Sequence, residues 1–194
     1  MSEEVTTAQR ILDAAEAVLR RHGAEKTNVV DVARALDMSH GNIYRHFPSK
    51  QALINAVALR WLHAVIEPLD AIAKNRSRPA TKRLAAWFDK LREIKQRKVL
   101  DDPELFQVHH QIVSQVPDVV AEHVATLVRH LELIITDGIE SGEFSSRLDP
   151  ATSARAFLQA TAAFHHPALL LQNRPQEADA KALFKLLLAG LKGG

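Results

Sequence analysis

The segment from Asn28 to Lys50 constrains the fold of this 194-residue chain more than any other part of the sequence. Asn28 can cap a short helix in which apolar and small side chains recur at helical spacing, so that this helix has one face to bury. Ser39 can cap a second helix from His40 to Phe47, and Pro48 ends it. Two short amphipathic helices joined by a brief turn predict a helix-turn-helix. The inward residues of the first helix are Val29, Val32, Ala33 and Leu36.

The second helix has a short outer face that suits the major groove of DNA. Ile43 and Phe47 share the inner face at i, i+4 spacing, which leaves polar side chains on the outside. Base edges in the major groove offer donors and acceptors to such side chains. We therefore expect Arg45 to pair with a guanine edge, and Asn42 or His40 to pair with another base.

Other residues of the motif are expected to contact the DNA backbone. Ser49 and Lys50 open the next helix, where free N–H groups and the positive end of the helix dipole favour a phosphate oxygen. Gly41 would allow the protein backbone to approach the DNA closely. The expected phosphate contacts are Thr27, Tyr44, His46 and Lys50.

Several separate features between Ala8 and Ala56 resemble the TetR family of bacterial repressors. One departure is Asp37, because this turn usually has a glycine in the left-handed conformation, which aspartate tolerates better than most residues. The resemblance lies in Ile11 to Ala15 running to His22 and Gly23, in Thr27 to Ala33, in Ser39 to Phe47, and in Ser49, Lys50 and Leu53. It implies that the positions facing DNA are Thr27, Ser39, His40, Gly41, Asn42, Tyr44, Arg45, His46 and Lys50.

Composition places the chain among ordinary soluble proteins. The sequence is 46% hydrophobic and 25% charged, and it has no cysteine, which excludes disulfides and thiolate zinc sites. Neither a signal peptide nor a stretch of roughly 18 apolar residues is visible, so we expect a cytoplasmic protein with no membrane partner. The net charge is only +2, so the expectation of DNA binding depends on the motif and not on overall charge.

Helical periodicity in nearly every segment predicts an all-α protein. A helix from Ala8 to Arg21, stopped by Gly23, precedes the motif, and a fourth helix starts at Ser49 or Lys50 and is ended or kinked by Pro68. Proline and glycine signals predict further helices over residues 79–98, 103–115, 117–141, 150–166 and 176–190.

The predicted organisation has two domains. Residues 1–50 form a three-helix DNA-binding domain, and residues 51–194 form a helical bundle for ligand binding and dimerisation. The fourth helix is shared between them. Because some 50 residues bury little core alone, we expect the first domain to pack on the fourth helix and on what lies behind it.

The resemblance implies a ligand pocket among the middle helices of the second domain. Large aromatic residues with a few polar groups suit an apolar small molecule held by few hydrogen bonds, although aromatic residues at helical spacing also form plain core. The expected lining residues are Trp61, Trp87, Phe88, Phe106, His109, His110, Phe164 and His165.

The ten histidines raise the alternative of a metal-responsive regulator. The candidates are His109 and His110, His123, His130, and His165 and His166. Neighbouring histidines on a helix point about 100° apart, and no Glu-x-x-His spacing occurs. We therefore predict neither a metal site nor a cofactor.

The last two long helices carry more apolar residues than one buried face needs. Small residues mixed with leucines let helices approach closely, which favours pairing with the same helices of a second copy in a four-helix dimer interface. The alternative is that both helices only complete the core of one chain. The expected interface residues are Phe157, Leu158, Thr161, Leu183, Leu186 and Leu187.

Together these features predict a homodimeric, ligand-responsive transcriptional regulator that binds a palindromic operator in double-stranded DNA, most simply as a repressor. An activator or a metal-responsive regulator of the same architecture has the same sequence features. A nucleoid or adaptor protein without a ligand, and a helical-bundle enzyme or carrier, are further alternatives. We expect no enzyme, because no constellation of acid, base and nucleophile is visible.

Overall fold

The structure is a computed structural model that describes residues 6–101, 103–173 and 176–193. Within these ranges the chain forms helices and no β-strand, so the prediction of an all-α protein is confirmed. The α-helices are α1 (Thr7–Lys26), α2 (Val29–Ala35), α3 (His40–His46), α4 (Lys50–Lys74), α5 (Ala80–Asp101), α6 (Pro103–Ser114), α7 (Pro117–Glu140), α8 (Pro150–Ala160), α9 (Pro167–Asn173) and α10 (Glu177–Lys192).

Several boundaries differ from those predicted, most clearly in α1, α4 and α8. The predicted stop of the first helix at Gly23 is a kink, and α1 continues beyond it to Lys26. α4 continues through Pro68 and neither ends nor restarts there. The helix predicted over residues 150–166 ends at Ala160, and a 3-10 turn leads into α9, which was not predicted. Thr161 explains the end of α8, because its hydroxyl donates to the carbonyls of Phe157 and Leu158 at 2.9 and 3.2 Å. Pro167 then starts a new helix, since it is favoured in a first turn.

The described residues form two compact units. The first contains the residues up to Leu62 and those from 103 to 120, and the second contains His63 to Asp101 and the residues from Ala121 onward. The packing does not test whether the DNA-binding function is confined to the residues up to Lys50, so that domain boundary stays a prediction. By packing, the first unit is larger than residues 1–50, because it includes the first half of α4 and all of α6.

The core of the first unit includes residues far apart in sequence. Ile11 and Leu19 of α1, Val32 of α2 and Val57 of α4 are buried together with Ile112 of α6. α6 packs directly against α1. The N-terminal helices therefore pack on α4, as expected, and also on α6.

α4 contributes to the cores of both units. Among the described residues it is the one helix long and apolar enough to cross a membrane by length and composition, which corrects the expectation that no stretch approaches such a span. However, 44% of that apolar stretch is buried. Val57 and Trp61 lie in the first core, and Val65 and Leu69 lie in the second, as in a core helix of a globular protein.

The core of the second unit is built around aromatic rings. Phe88 of α5 lies parallel to Phe184 of α10 with ring centroids 5.9 Å apart, and it meets Phe157 and Phe164 edge to face at 6.1 and 6.0 Å. These are favourable geometries for aromatic pairs. The packing of these rings holds α5, α8 and α10 together.

One glycine permits the close packing at the other end of this unit. A Cβ placed on Gly138 of α7 would lie 2.2 Å from a ring carbon of Phe144 and 3.0 Å from the Cβ of Ala80. Phe144 is buried, and its N–H donates to the Gly138 carbonyl at 2.9 Å, so the ring has little freedom to move.

We expect Gly138→Ala to lower the free energy of unfolding by about 1–3 kcal/mol, because overpacking outweighs the gain in helix propensity of about 1 kcal/mol. Gly41→Ala is the matched control, since only the Ser39 Oγ lies near its Cβ, at 3.9 Å. Urea unfolding followed by circular dichroism measures both. Equal stability of the two variants would contradict this account of Gly138.

Candidate nucleic-acid interface

The first helix of the motif, α2, is capped and anchored as its sequence predicts. The Asn28 N–H donates to the Asp31 carboxylate at 3.2 Å, and that carboxylate also lies near the positive end of the helix dipole. Val29, Val32 and Ala33 are buried. One face of α2 is therefore fixed in the core of the first unit.

The turn after α2 depends on one residue in a rare backbone conformation. Asp37 has φ of 52°, which confirms the left-handed conformation expected from the sequence. The N–H groups of Asp37 and Met38 donate to the carbonyls of Arg34 and Ala33 at 3.2 and 2.9 Å. The last carbonyls of α2 are thus satisfied while the chain reverses direction into α3.

The second helix of the motif, α3, is held from one side. The Ser39 Oγ accepts a hydrogen bond from the Asn42 N–H at 3.3 Å, and Ile43 is fully buried. At the other end the Phe47 N–H donates to the Ile43 carbonyl at 2.9 Å. The other side of the helix is open to solvent, where the exposed residues are Ser39, His40, Gly41, Tyr44, Arg45 and His46.

Two further predicted contact residues lie beside this face. Asn42 and Lys50 are half-buried. Ser49 caps α4, since its Oγ accepts from the Ala52 N–H at 3.0 Å. Lys50 therefore lies in the first turn of a helix, where N–H groups and the dipole favour an anion.

Thr27 differs from the other predicted contacts. Its side chain is only 5% exposed, and its hydroxyl donates to the Gly23 carbonyl at 2.7 Å. A buried hydroxyl engaged in this way is poorly placed to bind a phosphate. Thr27 instead fixes the chain between α1 and α2, and we leave it out of the proposed DNA contacts.

An arginine fork joins α4 to α1 within the first unit. Arg60 donates to the Asp13 carboxylate at 2.5 Å, to the Leu12 carbonyl at 3.2 Å and to the Glu16 carboxylate. Because the Arg60 side chain is partly exposed, these ion pairs contribute less to the free energy of unfolding than the apolar core does. Local sequence patterns do not predict this contact, because the two residues are 47 positions apart.

The predicted pocket residues divide between the two units. Phe106, His109 and His110 lie on α6 in the first unit, where the His109 ring stacks on Trp61 with centroids 3.5 Å apart. The indole N–H of Trp61 is buried without a hydrogen-bond partner. The pocket residues of the second unit are Trp87, Phe88, Phe164 and His165.

Within the second unit, these residues are mostly engaged with protein groups. Phe88 and Phe164 belong to the aromatic core, and Trp87 donates to the His130 ring. His165 lies within 3.2 Å of the Leu158 carbonyl through its Nε2. Phe88 also lines a cleft of about 190 Å³ between α5 and α10, beside an ion pair of Arg92 and Glu177 at 2.6 Å.

The predicted dimer residues need a correction. Phe157, Leu158 and Thr161 are 2%, 7% and 0% exposed in the single chain, so they belong to its own core and have almost no surface to offer a partner. Leu183 and Leu187 are half-buried against the same core. Leu186 is the exception, with 69% of its surface exposed. The exposed alanine and glycine residues on the two helices are Ala156 and Ala160 of α8, and Ala178, Ala182, Ala189 and Gly190 of α10.

No cluster of three potential metal ligands occurs among the described residues. Two of the histidines considered as metal ligands are engaged by protein groups. His130 contacts Trp87 and Asp70, and the Nε2 of His165 contacts the Leu158 carbonyl.

Family models match both halves of the chain. Residues 11–57 match the model described as bacterial regulatory proteins of the tetR family. Residues 80–183 match the model described as a tetracyclin repressor-like C-terminal domain. The second match alone spans more than half of the chain.

Individual proteins resemble the chain over most of its length. The uncharacterized HTH-type transcriptional regulator YfiR of Bacillus subtilis is 26% identical over 81% of this chain and 80% of its own. FadR from Bacillus subtilis, in a crystal structure with stearoyl-CoA, has a TM-score of 0.66 at 22% identity, covering 95% of this chain and 97% of the other. SmeT, the repressor of the Stenotrophomonas maltophilia multidrug efflux pump SmeDEF, has a TM-score of 0.72 in its triclosan complex, at 18% identity, covering 97% and 93%. At these identities the two structures establish the fold.

The turn of the motif can be tested through Asp37. We expect Asp37→Val to lower the free energy of unfolding by about 1–2 kcal/mol, because a β-branched residue tolerates the left-handed conformation poorly. Asp37→Asn removes the same charge but keeps that tolerance, so its stability should stay within about 0.5 kcal/mol of the parent. Chemical unfolding of both variants measures this. A similar loss in both would mean that charge, and not backbone conformation, matters here.

Proposed function

The chain belongs to the TetR family of bacterial regulatory proteins, and on that premise we propose that it represses transcription as a homodimer that leaves its operator when a small molecule binds. It is a DNA-binding transcriptional regulator, and its family is not a class of enzymes. We place it in the cytoplasm, where its DNA is accessible. The observation that carries the proposal is the exposed polar face of α3 on a helix whose other face is buried at Ile43.

In the proposed complex, α3 lies in the major groove. Arg45 pairs with a guanine edge, and His40 or Asn42 reads a neighbouring base. Ser39, Tyr44, His46 and Lys50 bind phosphates, and Gly41 lets the backbone come close. Since a seven-residue helix reaches only a few base pairs, two copies in successive major grooves are needed for a specific site.

The proposed effector is a largely apolar small molecule. The supporting observations are the stacked rings of Trp61 and His109 within the first unit, together with the stearoyl-CoA and triclosan bound by the similar proteins FadR and SmeT. Trp61 offers a buried N–H without a partner, which an acceptor group on a ligand would satisfy.

α6 is the proposed path from effector to DNA. It falls within the part of the chain that matches the C-terminal family model, yet Ile112 of α6 is buried in the core of the first unit. A ligand that shifts α6 would therefore disturb the packing of α1, and through it α2 and α3. Because this is a coupling between two binding equilibria, DNA must weaken ligand binding by the same factor.

The proposed dimer interface is the exposed face of α8 and α10. Leu186 is its most exposed apolar side chain, and the small residues around it would let two helix pairs approach closely. In this assignment the exposed residues of α8 and α10 form the interface, in place of the buried Phe157, Leu158 and Thr161.

The DNA assignment is tested with a fragment enriched by the protein from random DNA. We expect Arg45→Ala to weaken binding to that fragment by about 1–3 kcal/mol and to leave binding to random DNA nearly unchanged. Lys50→Ala should weaken both and lower the slope of the salt dependence by about 1. Fluorescence anisotropy across a salt series measures both effects.

Arg129→Ala is the control, because Arg129 is an exposed cation of α7 in the second unit. Equal losses for Arg45→Ala and Arg129→Ala on the enriched fragment would contradict the assignment of α3 as the reading helix.

The dimer assignment is tested with Leu186→Glu. A buried carboxylate opposite its own copy should raise the dimer dissociation constant on the order of tenfold to a hundredfold. Leu59→Glu is the control, since Leu59 is likewise an exposed leucine but lies on α4 in the first unit. Sedimentation velocity over a concentration series compares them, and an unchanged dissociation constant for Leu186→Glu would exclude this face.

A further inference from the structure

A chain of polar side chains links three helices of the second unit. The indole N–H of Trp87, on α5, donates to the Nδ1 of His130, on α7, at 3.4 Å. The Nε2 of His130 lies 3.3 Å from a carboxylate oxygen of Asp70, on α4. The other oxygen of Asp70 pairs with Lys74 at 2.8 Å. Trp87 is fully buried and His130 is 6% exposed. Neither the DNA interface nor the proposed effector site accounts for this connection between three helices.

The hydrogen-bond pattern fixes the state of the imidazole. An indole N–H can only donate, so the Nδ1 that faces it must be unprotonated. The carboxylate of Asp70 can only accept, so the Nε2 that faces it must carry the proton. His130 is therefore the neutral Nε2–H tautomer, with one ring nitrogen accepting and the other donating.

A second proton on His130 is incompatible with this arrangement. It would add to Nδ1 and place two donors opposite each other in the core. The indole N–H of Trp87 would then be buried without an acceptor, which costs free energy because that group cannot reach water.

We propose that the link from Trp87 through His130 to Asp70 is an acid-sensitive latch, which opens when His130 takes up a proton and releases α5 from α7. The proton would act on the second unit as an effector in its own right, in addition to any small molecule. Histidine suits this role because its charge changes close to physiological pH.

The charges around His130 support this direction. Burial lowers its pKa from the ordinary value of 6.5, the nearby Asp70 raises it, and the cations Lys74 and Arg129 lower it again, with a net lowering. The folded protein thus favours the neutral ring. The latch contributes stability above pH 6.5, and this contribution is lost as the pH falls below that value toward the folded pKa.

His165 is a second buried histidine whose contribution must be separated. Burial lowers its pKa to about 4, while its bond to the Leu158 carbonyl opposes the shift. It therefore adds to the loss of stability in acid. In the described structure the indole N–H of Trp87 is hydrogen-bonded to His130, whereas His165 is bonded to Thr161 and Leu158, so the Trp87 signal reports on His130.

The test follows the two tryptophan indole N–H signals by NMR, in the full-length protein labelled with 15N at tryptophan and histidine, from about pH 7.5 to about pH 5. Trp61→Phe identifies which signal belongs to Trp87. We expect the Trp87 signal to shift with a midpoint below the ordinary histidine value. The 15N shifts of His130 should show an unprotonated Nδ1 at the upper pH and a protonated Nδ1 at the lower pH.

His130→Gln and His63→Gln are the matched variants. A glutamine at position 130 can accept from Trp87 without titrating, so the Trp87 signal should stay constant and the fall of the melting temperature in acid should become shallower. His63 is an exposed histidine of α4, and its variant should behave as the parent. If His130→Gln does not fold, the pH series of the wild-type spectra still tests the proposal. A Trp87 signal that does not move, or a protonated Nδ1 at the upper pH, would overturn the proposal.

Discussion

The burial of Ile43 is the contact on which the proposed DNA-binding face of α3 depends. A helix of seven residues, such as α3, is not stable alone in water, so its conformation must come from packing and from its caps. Ile43 provides the packing, and Ser39 and the Phe47 N–H close the two ends. Because one face of α3 is fixed in this way, the side chains on the opposite face do not need to pack in the core and can be polar.

That packing extends to residues that the sequence separates widely. Ile43 lies in one core with Val32 of α2, Val57 of α4 and Ile112 of α6. α3 is thus part of the same packed core as α6, although the two helices fall within matches to different family models. Packed cores transmit displacement because they contain little free volume. This is why we favour α6 as the route by which an effector changes DNA binding.

The sequence predicted well what local rules control. The caps at Asn28 and Ser39, the left-handed Asp37 and the helix starts at Pro103, Pro117 and Pro150 all follow from short-range chemistry. Prediction from the sequence failed where tertiary contacts determine the structure. Helical periodicity could not tell that α8 stops at Thr161, nor whether the apolar side chains of Phe157 and Leu158 face their own core or a second copy. Nor did it predict that α6 packs in the first unit, although the spacing of Val108 and Ile112 could have indicated a buried face.

Sequence-specific DNA binding through α3 is tested most directly by letting the purified protein select fragments from a pool of random DNA and sequencing what it retains. We expect enrichment of a palindrome whose half-sites lie about one helical turn apart, bound by two chains, at an affinity about 10³-fold or more above that for random DNA. Retention of unrelated sequences with a steep salt dependence would instead mean that the exposed face of α3 binds phosphates without reading bases, and would contradict the proposed operator binding.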